Sequence, residues 1–352
     1  MRLLPAKLRR LKWYHVVGSI VFTIVALDYV GAFAHLREVD YHSGFSYPLD
    51  IDLAPLVSSL RKNEQPAVKP INTFNYTYLK SSDKCSGGSI LRFAYVIKSA
   101  MNHFERRQAI RDTWGYEQRF SDVPLRRVFV LGISDSNSEL QHKIDEESDK
   151  HGDIVQVNFI DSYWNNSVKT MAAMKWTVEK CSNARFLVFA DDDMYLSTKN
   201  LLKFLRNPEI YPDEVFDYLE DQKRVNGKLY AGYVFHSPPL RHKFSKWYVP
   251  LEEYPFTLWP PYATAGAYVL SRTALLELYY GSMFTKMFRF DDVYLGLVAR
   301  KVGLEPLHCS EFYFWKKPYS ATGYRDVIAS HGFGDPQELR KVWTEQKSLG
   351  NA

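Results

Sequence analysis

Three consecutive carboxylates, Asp191, Asp192 and Asp193, follow the apolar run 186–190 and are the side chains best placed to do chemistry. A short apolar run is typical of a strand buried on both faces. Carboxylates this close repel unless a cation or a proton lies among them. Their oxygens suit Mg²⁺ or Mn²⁺, which keep open positions for substrate phosphates. We therefore expect a metal–diphosphate site at the end of a central strand; a solvated acidic turn or helix cap is the alternative.

A second acidic pair, Asp291 and Asp292, opens the apolar helix predicted at 291–302. Helix capping would explain one of these carboxylates, and the other leaves room for catalysis. Transfer of a sugar from a nucleotide needs a cation for the leaving diphosphate and a base for the acceptor hydroxyl. Two acidic clusters about one hundred residues apart could supply both. His331, in Ala-Ser-His-Gly-Phe-Gly, is a candidate ligand, although a lone histidine is more often structural.

Strand-like and helix-like segments alternate around these acids, which predicts an α/β fold with a central, mostly parallel sheet. Predicted strands are 91–97, 127–131, 154–159, 186–190, 229–235 and 264–270, and predicted helices are 105–114, 138–150, 167–179, 198–206 and 291–302. The sequence contains neither a GxGxxG motif nor a P-loop, so the signatures of dinucleotide and ATP folds are missing.

Aromatic residues are concentrated in 241–262, a segment that we expect to form a rigid loop. Their rings could stack on sugars, or could only pack the loop; they are Trp247, Tyr248, Tyr254, Trp259 and Tyr262. Gly266 lies in a small-residue strand that would leave room for a ligand. Gly232, inside another predicted strand, would permit close approach of a ligand or a second backbone.

The N-terminal region predicts a membrane protein. Residues 1–12 are basic and would be a cytosolic tail, 13–33 a transmembrane signal anchor and 34–88 a luminal stem. A cleaved signal peptide is the alternative. The catalytic domain would be 89–346 and the C-terminal tail 347–352. Asn75 and Asn165 begin glycosylation sequons.

The formal net charge of +5 is spread over a mixed surface, so no nucleic-acid partner is expected. Three cysteines allow at most one internal bridge, without indicating which pair.

Six ordered motifs resemble the β1,3-glycosyltransferase family (glycosyltransferase family 31) from about Leu91 to Trp343. They are RRQAIRDTWG at 106–115, VFVLG at 128–132, NNSVKT at 165–170, DDD at 191–193, YAG at 230–232 and DDVYLG at 291–296. The resemblance implies a GT-A-type nucleotide-sugar-binding fold, a UDP-sugar donor, inversion of the anomeric centre and Mn²⁺, with Mg²⁺ as the alternative cation.

The resemblance also implies roles for individual residues. Asp193 would be the principal metal ligand, with Asp191 and His331 beside it. Asp292 would be the catalytic base and Asp291 the fallback. Donor-binding positions by resemblance would be Arg111, Lys169, Asp191 and Asp192. The residue patterns described above, and not the resemblance, add Gly232 on the donor side and Trp247, Trp259, Tyr262 and Gly266 on the acceptor side.

Within the family, the stretches 240–256, 259–266 and 288–296 are most similar to an insect member. That similarity implies β1,3 transfer of N-acetylglucosamine from UDP-GlcNAc to a glycolipid or glycan acceptor, the mannose of a glycosphingolipid core. A β1,3-galactosyltransferase is the near alternative, and a non-catalytic sugar-binding protein on the same scaffold is a more distant one. The expected location is the Golgi membrane, as a single-pass type II protein with a luminal catalytic domain.

Overall fold

The computed structural model describes residues 12–134, 138–213 and 227–352. The chain forms two compact units, Met1–Ser46 with His236–Trp259, and Tyr47–Phe235 with Pro260–Ala352. Both acidic clusters belong to the second unit, whereas Trp247 and Trp259 belong to the first. The predicted cytosolic tail lies outside the described residues except for Lys12.

Eleven helices are found in the described part of the chain: Trp13–Tyr29 (α1), Ala32–His35 (α2), Tyr41–Gly44 (α3), Ala54–Arg61 (α4), Phe104–Asp112 (α5), Ser138–His151 (α6), Asn166–Lys180 (α7), Thr198–Phe204 (α8), Arg272–Ser282 (α9), Asp291–Lys301 (α10) and Pro336–Ser348 (α11). The strands are Tyr78–Lys80 (β1), Leu91–Lys98 (β2), Leu125–Ile133 (β3), Ile154–Ile160 (β4), Ala184–Asp191 (β5), Tyr195–Leu196 (β6), Tyr230–Phe235 (β7), Tyr262–Ser271 (β8), Leu307–His308 (β9), Phe312–Tyr313 (β10) and Ala329–Ser330 (β11).

An eight-stranded sheet forms the centre of the second unit, in the order β1-β4-β3-β2-β5-β8-β7-β9. Strands β4, β3, β2 and β5 run parallel, while β8 pairs antiparallel with both β5 and β7. A second sheet has the order β10-β11-β6. The apolar runs of β2, β3 and β5 are almost wholly buried, as expected for central parallel strands covered on both faces. The α/β prediction is therefore confirmed.

The first unit is held together by Arg241, whose side chain is fully buried. Its Nε donates to a Glu38 carboxylate oxygen at 2.7 Å, and its two Nη atoms donate to backbone carbonyls of the loop 249–256. A parallel bridge joins Val39 to Phe256. The guanidinium thus satisfies carbonyls that would otherwise be buried without partners.

The predicted transmembrane helix at 13–33 is shorter in the structure. Helix α1 has 17 residues and ends at Tyr29, and Gly31 follows in the left-handed region with φ of 86°. Among the described residues, no helix combines the length and the apolar character needed to cross a bilayer. The single-pass anchor that we expected is therefore not confirmed.

Much of the predicted stem, 34–88, packs into the second unit. Leu53, Leu56 and Val57 form a buried cluster with Phe284, and β1 extends the central sheet beside β4. A disulfide joins Cys85 to Cys181, and Cys309 is free and buried. The short apolar pieces of the predicted stem therefore belong to the second unit. They show no sustained period because each contributes only a few side chains to a core that other elements form. The tail 347–352 is packed too, since Ala352 is fully buried.

Candidate functional site

A buried lysine joins the two acidic clusters at the carboxyl edge of the sheet. Lys98 ends β2 and lies in register with Asp191, which ends β5. Chain order reverses between these neighbouring strands, and such a switch point is where open α/β sheets bind ligands. The Lys98 Nζ lies 3.1 Å from Asp191 Oδ1 and donates to Asp291 Oδ2 at 2.8 Å. Lys98 is not among the residues predicted from the sequence, although its position at the end of a predicted strand was a signal.

Asp291 is held as an anion at the start of α10. Its Oδ2 accepts hydrogen bonds from Lys98 and, at 2.7 Å, from Thr170 Oγ1. Burial disfavours its charge, but Lys98 and Thr170 outweigh burial and lower the pKa of Asp291 below its ordinary value. A carboxylate so engaged is a poor proton acceptor, which argues against Asp291 as the fallback base.

Asp292 differs from Asp291 in its environment. One of its oxygens accepts the Val293 backbone N–H at 2.8 Å. Burial and the adjacent Asp291 charge raise the pKa of Asp292 to about 7. A carboxylate poised near neutrality can accept a proton from an alcohol as it attacks. The two neighbouring carboxylates therefore have separate electrostatic characters, and Asp292 has that of a general base.

Asp193 and His331 form the part of the site best suited to a cation. His331 Nε2 lies 3.3 Å from Asp193 Oδ2, and that hydrogen bond raises the pKa of His331. Asp193 Oδ1 is buried and accepts no hydrogen bond from the described residues. The Phe333 N–H donates to the Asp193 carbonyl at 2.7 Å, which holds the segment of His331 against the acidic turn. An unpaired buried carboxylate oxygen is costly without a partner, so this pair fits a divalent cation.

The protein supplies few ligands for such a cation. No group of three or more His, Cys, Asp or Glu side chains is arranged for metal binding in the described part of the chain. Mg²⁺ is typically held by one or two carboxylates together with substrate phosphates and water. Asp193, with Asp191 or His331, meets that modest requirement.

Burial and neighbouring carboxylates raise the pKa of Asp191 to about 6 despite the opposing Lys98 charge, although 34% of its side chain is exposed.

Asp192 has a structural partner set instead of the donor-binding role predicted for it. Its carboxylate accepts hydrogen bonds from Ser99 Oγ at 2.6 Å, His103 Nδ1 at 2.8 Å and Arg106 Nη1 at 3.0 Å. Arg106 also donates to the Gly334 carbonyl. Asp192 thus ties the loop after β2 and the segment after His331 to the acidic turn. Sequence analysis missed these three partners, although Arg106 lies in the RRQAIRDTWG motif.

The predicted donor residues Arg111, Lys169 and Gly232 are engaged elsewhere. Arg111 is buried against Asp153, to which it donates at 2.8 and 2.9 Å; its charge is neutralised there, so the prediction for Arg111 is not supported. Lys169 donates to Asp161 and to the Ser99 carbonyl, which places it near the site with its ammonium paired. A Cβ on Gly232 would lie 3.1 Å from a β8 carbonyl, so this glycine serves strand packing.

The predicted acceptor residues fall in different surroundings. In the first unit, Trp259 is only 6% exposed and packs 4.0 Å from the Tyr254 ring, which argues against stacking on a sugar; Trp247 is 47% exposed. In the second unit, a Cβ on Gly266 would face Met194 and His331, and Tyr262 packs against Gly296 in α10. Gly266 therefore borders the Asp193–His331 pair.

The two sequons differ in accessibility. Asn75 is exposed. Asn165 donates its side-chain amide to the Ile160 carbonyl, and the sequon hydroxyl of Ser167 is buried and donates to the Phe288 carbonyl. The folded structure therefore favours Asn75 as the acceptor of a glycan.

Comparison with known proteins identifies the class to which this α/β fold and its acidic site belong. Residues 105–310 match the family described as "Galactosyltransferase". The chain is 44% identical over 332 residues to beta-1,3-galactosyltransferase brn (Brainiac) of Drosophila melanogaster, covering 94% of both proteins. The chain therefore belongs to the galactosyltransferase family of β1,3-glycosyltransferases, glycosyltransferase family 31, and the resemblance drawn from its motifs is confirmed.

Relatives from mammals agree with this assignment. Beta-1,3-galactosyltransferase 1 of Homo sapiens is 31% identical over 280 residues, covering 80% of this chain and 81% of that protein. Among solved structures, galactosyltransferase LgtC with donor and acceptor sugar analogues aligns at a TM-score of 0.37 and 10% identity, covering 74% of this chain and all of that one. A score this low does not establish a shared fold.

Proposed function

We propose that the protein is an inverting, metal-dependent β1,3-glycosyltransferase of GT-A type that transfers N-acetylglucosamine from UDP-GlcNAc to a terminal sugar, the mannose of a glycosphingolipid core. The observation that carries the proposal is the Lys98 bridge between Asp191 and Asp291. It brings a cation-binding acidic turn and a candidate base, Asp292, to the same edge of the sheet.

Asp292 takes the proton from the acceptor hydroxyl as that oxygen attacks the anomeric carbon. Asp291 raises the proton affinity of Asp292 and is itself kept ionised by Lys98 and Thr170. The bond from the anomeric carbon to the diphosphate oxygen breaks on the opposite face, which inverts the configuration. Lys98, Asp291 and Thr170 thus position and tune the base without meeting the substrate.

Asp193 and Asp191, with His331, would hold the cation, Mn²⁺ or alternatively Mg²⁺. A bound divalent ion supplies charge neutralisation for the departing diphosphate. Ser99, His103 and Arg106 keep the acidic turn in place through Asp192. The unpaired Asp193 Oδ1 supports this assignment.

Galactose is the second candidate for the transferred sugar. Both the insect and the human relative are named β1,3-galactosyltransferases. The two donors differ at carbon 2, which bears an N-acetyl group in one and a hydroxyl in the other, and at the configuration of carbon 4.

We place the activity in the lumen of the Golgi. The Cys85–Cys181 disulfide supports an oxidising compartment, and the exposed Asn75 sequon is compatible with one.

A donor screen with a matched variant tests the proposal. The protein is assayed with UDP-GlcNAc, UDP-galactose and UDP-GalNAc against mannose-terminated acceptors, with Mn²⁺ and with chelator. We expect transfer from UDP-GlcNAc, loss in chelator and recovery on adding Mn²⁺. Asp292→Asn should lower kcat by about 10²–10⁴-fold while UDP binding persists. Transfer only from UDP-galactose would reassign the donor, and near-normal kcat in Asp292→Asn would show that Asp292 is not the base. UDP binding without transfer from any of the three donors would favour a non-catalytic sugar-binding protein.

A further inference from the structure

A cluster of aromatic rings lies on the antiparallel half of the sheet. Tyr233 and Phe235, two residues apart in β7, project to the same side of the strand. The Phe314 ring contacts both, at 4.7 and 4.6 Å between centroids. Trp315 packs 4.6 Å from Phe314, and Tyr262 lies 5.8 Å from Phe235. We name these five residues the aromatic platform. Its outer rings are substantially exposed, Phe314 by 39% and Trp315 by 41%.

One end of the aromatic platform reaches the helix of the candidate base. A Cβ on Gly296 would lie 2.6 Å from Tyr262 Cβ, so the Tyr262 backbone lies directly against α10 at that residue. Gly296 follows Asp292 by four residues, and residues with this spacing share one face of a helix. Tyr262 is therefore about one helical turn from Asp292.

The other end of the platform reaches the candidate cation site. The His331 N–H donates to the carbonyl of Tyr313 at 3.1 Å, immediately before Phe314 and Trp315. Strand β10, which ends at Tyr313, runs parallel to β11, which precedes His331. The platform therefore extends from the backbone beside His331 to the face of α10 that carries Asp292.

The platform is placed for an acceptor and not for the donor nucleotide. Nucleotides bind over the parallel strands of α/β sheets near the switch point, here β2, β3 and β5. Tyr233, Phe235 and Tyr262 belong to β7 and β8 on the antiparallel side, and Phe314 and Trp315 follow β10. Exposed indole and phenyl faces suit the C–H faces of a sugar ring. Of the two adjacent lysines, Lys316 pairs with the Glu338 carboxylate, whereas Lys317 donates to a hydroxyl, that of Tyr313. The choice of a neutral sugar therefore rests on the apolar ring faces, which offer no charged partner to an acidic group.

We propose that the aromatic platform is an acceptor subsite that binds the neutral sugar next to the terminal, reacting one. The inference rests on the proposed function and names its acceptor as an oligosaccharide of two or more neutral rings. The terminal sugar lies at Asp292, and the second sugar stacks on Phe314 and Trp315. The enzyme thus reads the acceptor beyond the residue that it modifies.

Three acceptors, assayed with the full chain, test the subsite. They are methyl mannoside, the methyl glycoside of a neutral disaccharide ending in mannose, and octyl mannoside. Wild type should prefer the disaccharide in kcat/KM. Trp315→Ala should lower kcat/KM for the disaccharide about five- to tenfold and leave that for methyl mannoside and the donor KM unchanged. Trp315→Phe, which keeps an aromatic face, should recover most of the loss. Tyr116→Ala, which removes a ring that is 45% exposed in another part of the unit, is the control.

Each other outcome overturns the subsite. A raised donor KM would mean that the rings contact the nucleotide, and a loss confined to octyl mannoside would mean that they contact a lipid chain. Equal losses with all acceptors would indicate a general structural effect. If wild type shows no transfer at all, the proposed function fails separately. Saturation-transfer NMR of the disaccharide with UDP and Mn²⁺ then still compares wild type with Trp315→Ala, and equal signals refute the subsite.

Discussion

At the residue level, the proposed base Asp292 predicts an activity that depends on pH near neutrality. Its raised pKa of about 7 means that the carboxylate is protonated, and unable to accept a proton, below that pH. We expect kcat/KM to fall about tenfold per pH unit below 7 and to level off above it. A pH profile at saturating metal and donor measures this limb. An acid limb near pH 4 would show that burial and the neighbouring Asp291 charge do not raise the pKa of Asp292.

Lys98 offers a second residue-level prediction. Its positive charge lowers the pKa of both Asp291 and Asp292, so Lys98→Met should move the acid limb to higher pH. Leaving buried carboxylates without their cation should also lower the free energy of unfolding by about 3–5 kcal/mol. Chemical denaturation and the pH profile are the measurements.

The double variant Lys98→Met/Asp291→Asn is the matched control for Lys98, because it removes both members of one ion pair. It should regain part of the lost stability while remaining poorly active. If the single variant keeps the wild-type acid limb and stability, Lys98 is not the electrostatic link between the clusters.

The candidate site residues could be selected from the sequence, but their hydrogen-bond and ion-pair partners could not. Asp193 and Asp292 were selected because each belongs to a run of acids beside an apolar element, and a helix cap or a turn explains one carboxylate more readily than two or three. Whether Arg111 binds the nucleotide-sugar donor or pairs with Asp153 depends on which residues fold beside it. Asp153, its partner in the structure, is distant in sequence. Propensity and periodicity do not report such pairings, which is why Lys98, His103 and Arg106 were missed.

At the element level, β8 carries an irregularity beside the site. Gly232 pairs with Tyr268 but Val234 pairs with Ala263, so the residues 264–267 lie opposite Tyr233 alone. Such a bulge redirects side chains and is common next to functional sites. Gly266 lies within it, and a Cβ placed there would have the side chains of Met194 and His331 as its nearest neighbours.

This bulge predicts a size limit at Gly266. A Cβ there would lie 3.4 Å from Met194 Sδ, an ordinary contact, so Gly266→Ala should keep near-normal activity. Gly266→Val adds two methyl groups beyond the Cβ of alanine, and overpacking of this kind typically costs about 1–3 kcal/mol. This variant should lower activity about tenfold or more and raise the Mn²⁺ concentration needed. Metal titrations of both variants, with thermal unfolding as a check on folding, make the comparison; equal activity would refute the limit.

Most elements near the site were predictable because they are long and strongly patterned. The runs at β2, β4 and β5 were placed within about two residues, since buried strands carry continuous apolar sequence. Helix α4 and strand β1 were missed inside the predicted stem. Strand β1 has three residues and is stabilised by pairing with β4. So short a strand has no local sequence pattern that would predict its pairing partner.

At the level of the whole molecule, the Cys85–Cys181 disulfide closes a segment of 96 residues that includes β2, β3 and β4. A crosslink over so long a loop restricts the unfolded chain, and its removal typically costs about 2–5 kcal/mol. We expect Cys85→Ser to lower the midpoint of chemical unfolding and to make it insensitive to reductant. Cys309→Ala, which removes the free buried thiol, should keep the reductant sensitivity; an unchanged midpoint in Cys85→Ser would contradict the prediction.

The shared ammonium of Lys98 has a consequence for engineering this enzyme. Asp191 is the acid of the triplet that pairs with Lys98. Replacing it to change the preferred cation would alter how strongly Lys98 attracts Asp291 and, through Asp291, the basicity of Asp292. Donor chemistry and acceptor activation therefore cannot be redesigned independently. Libraries that vary 191–193 should vary position 98 with them and should be screened at more than one pH.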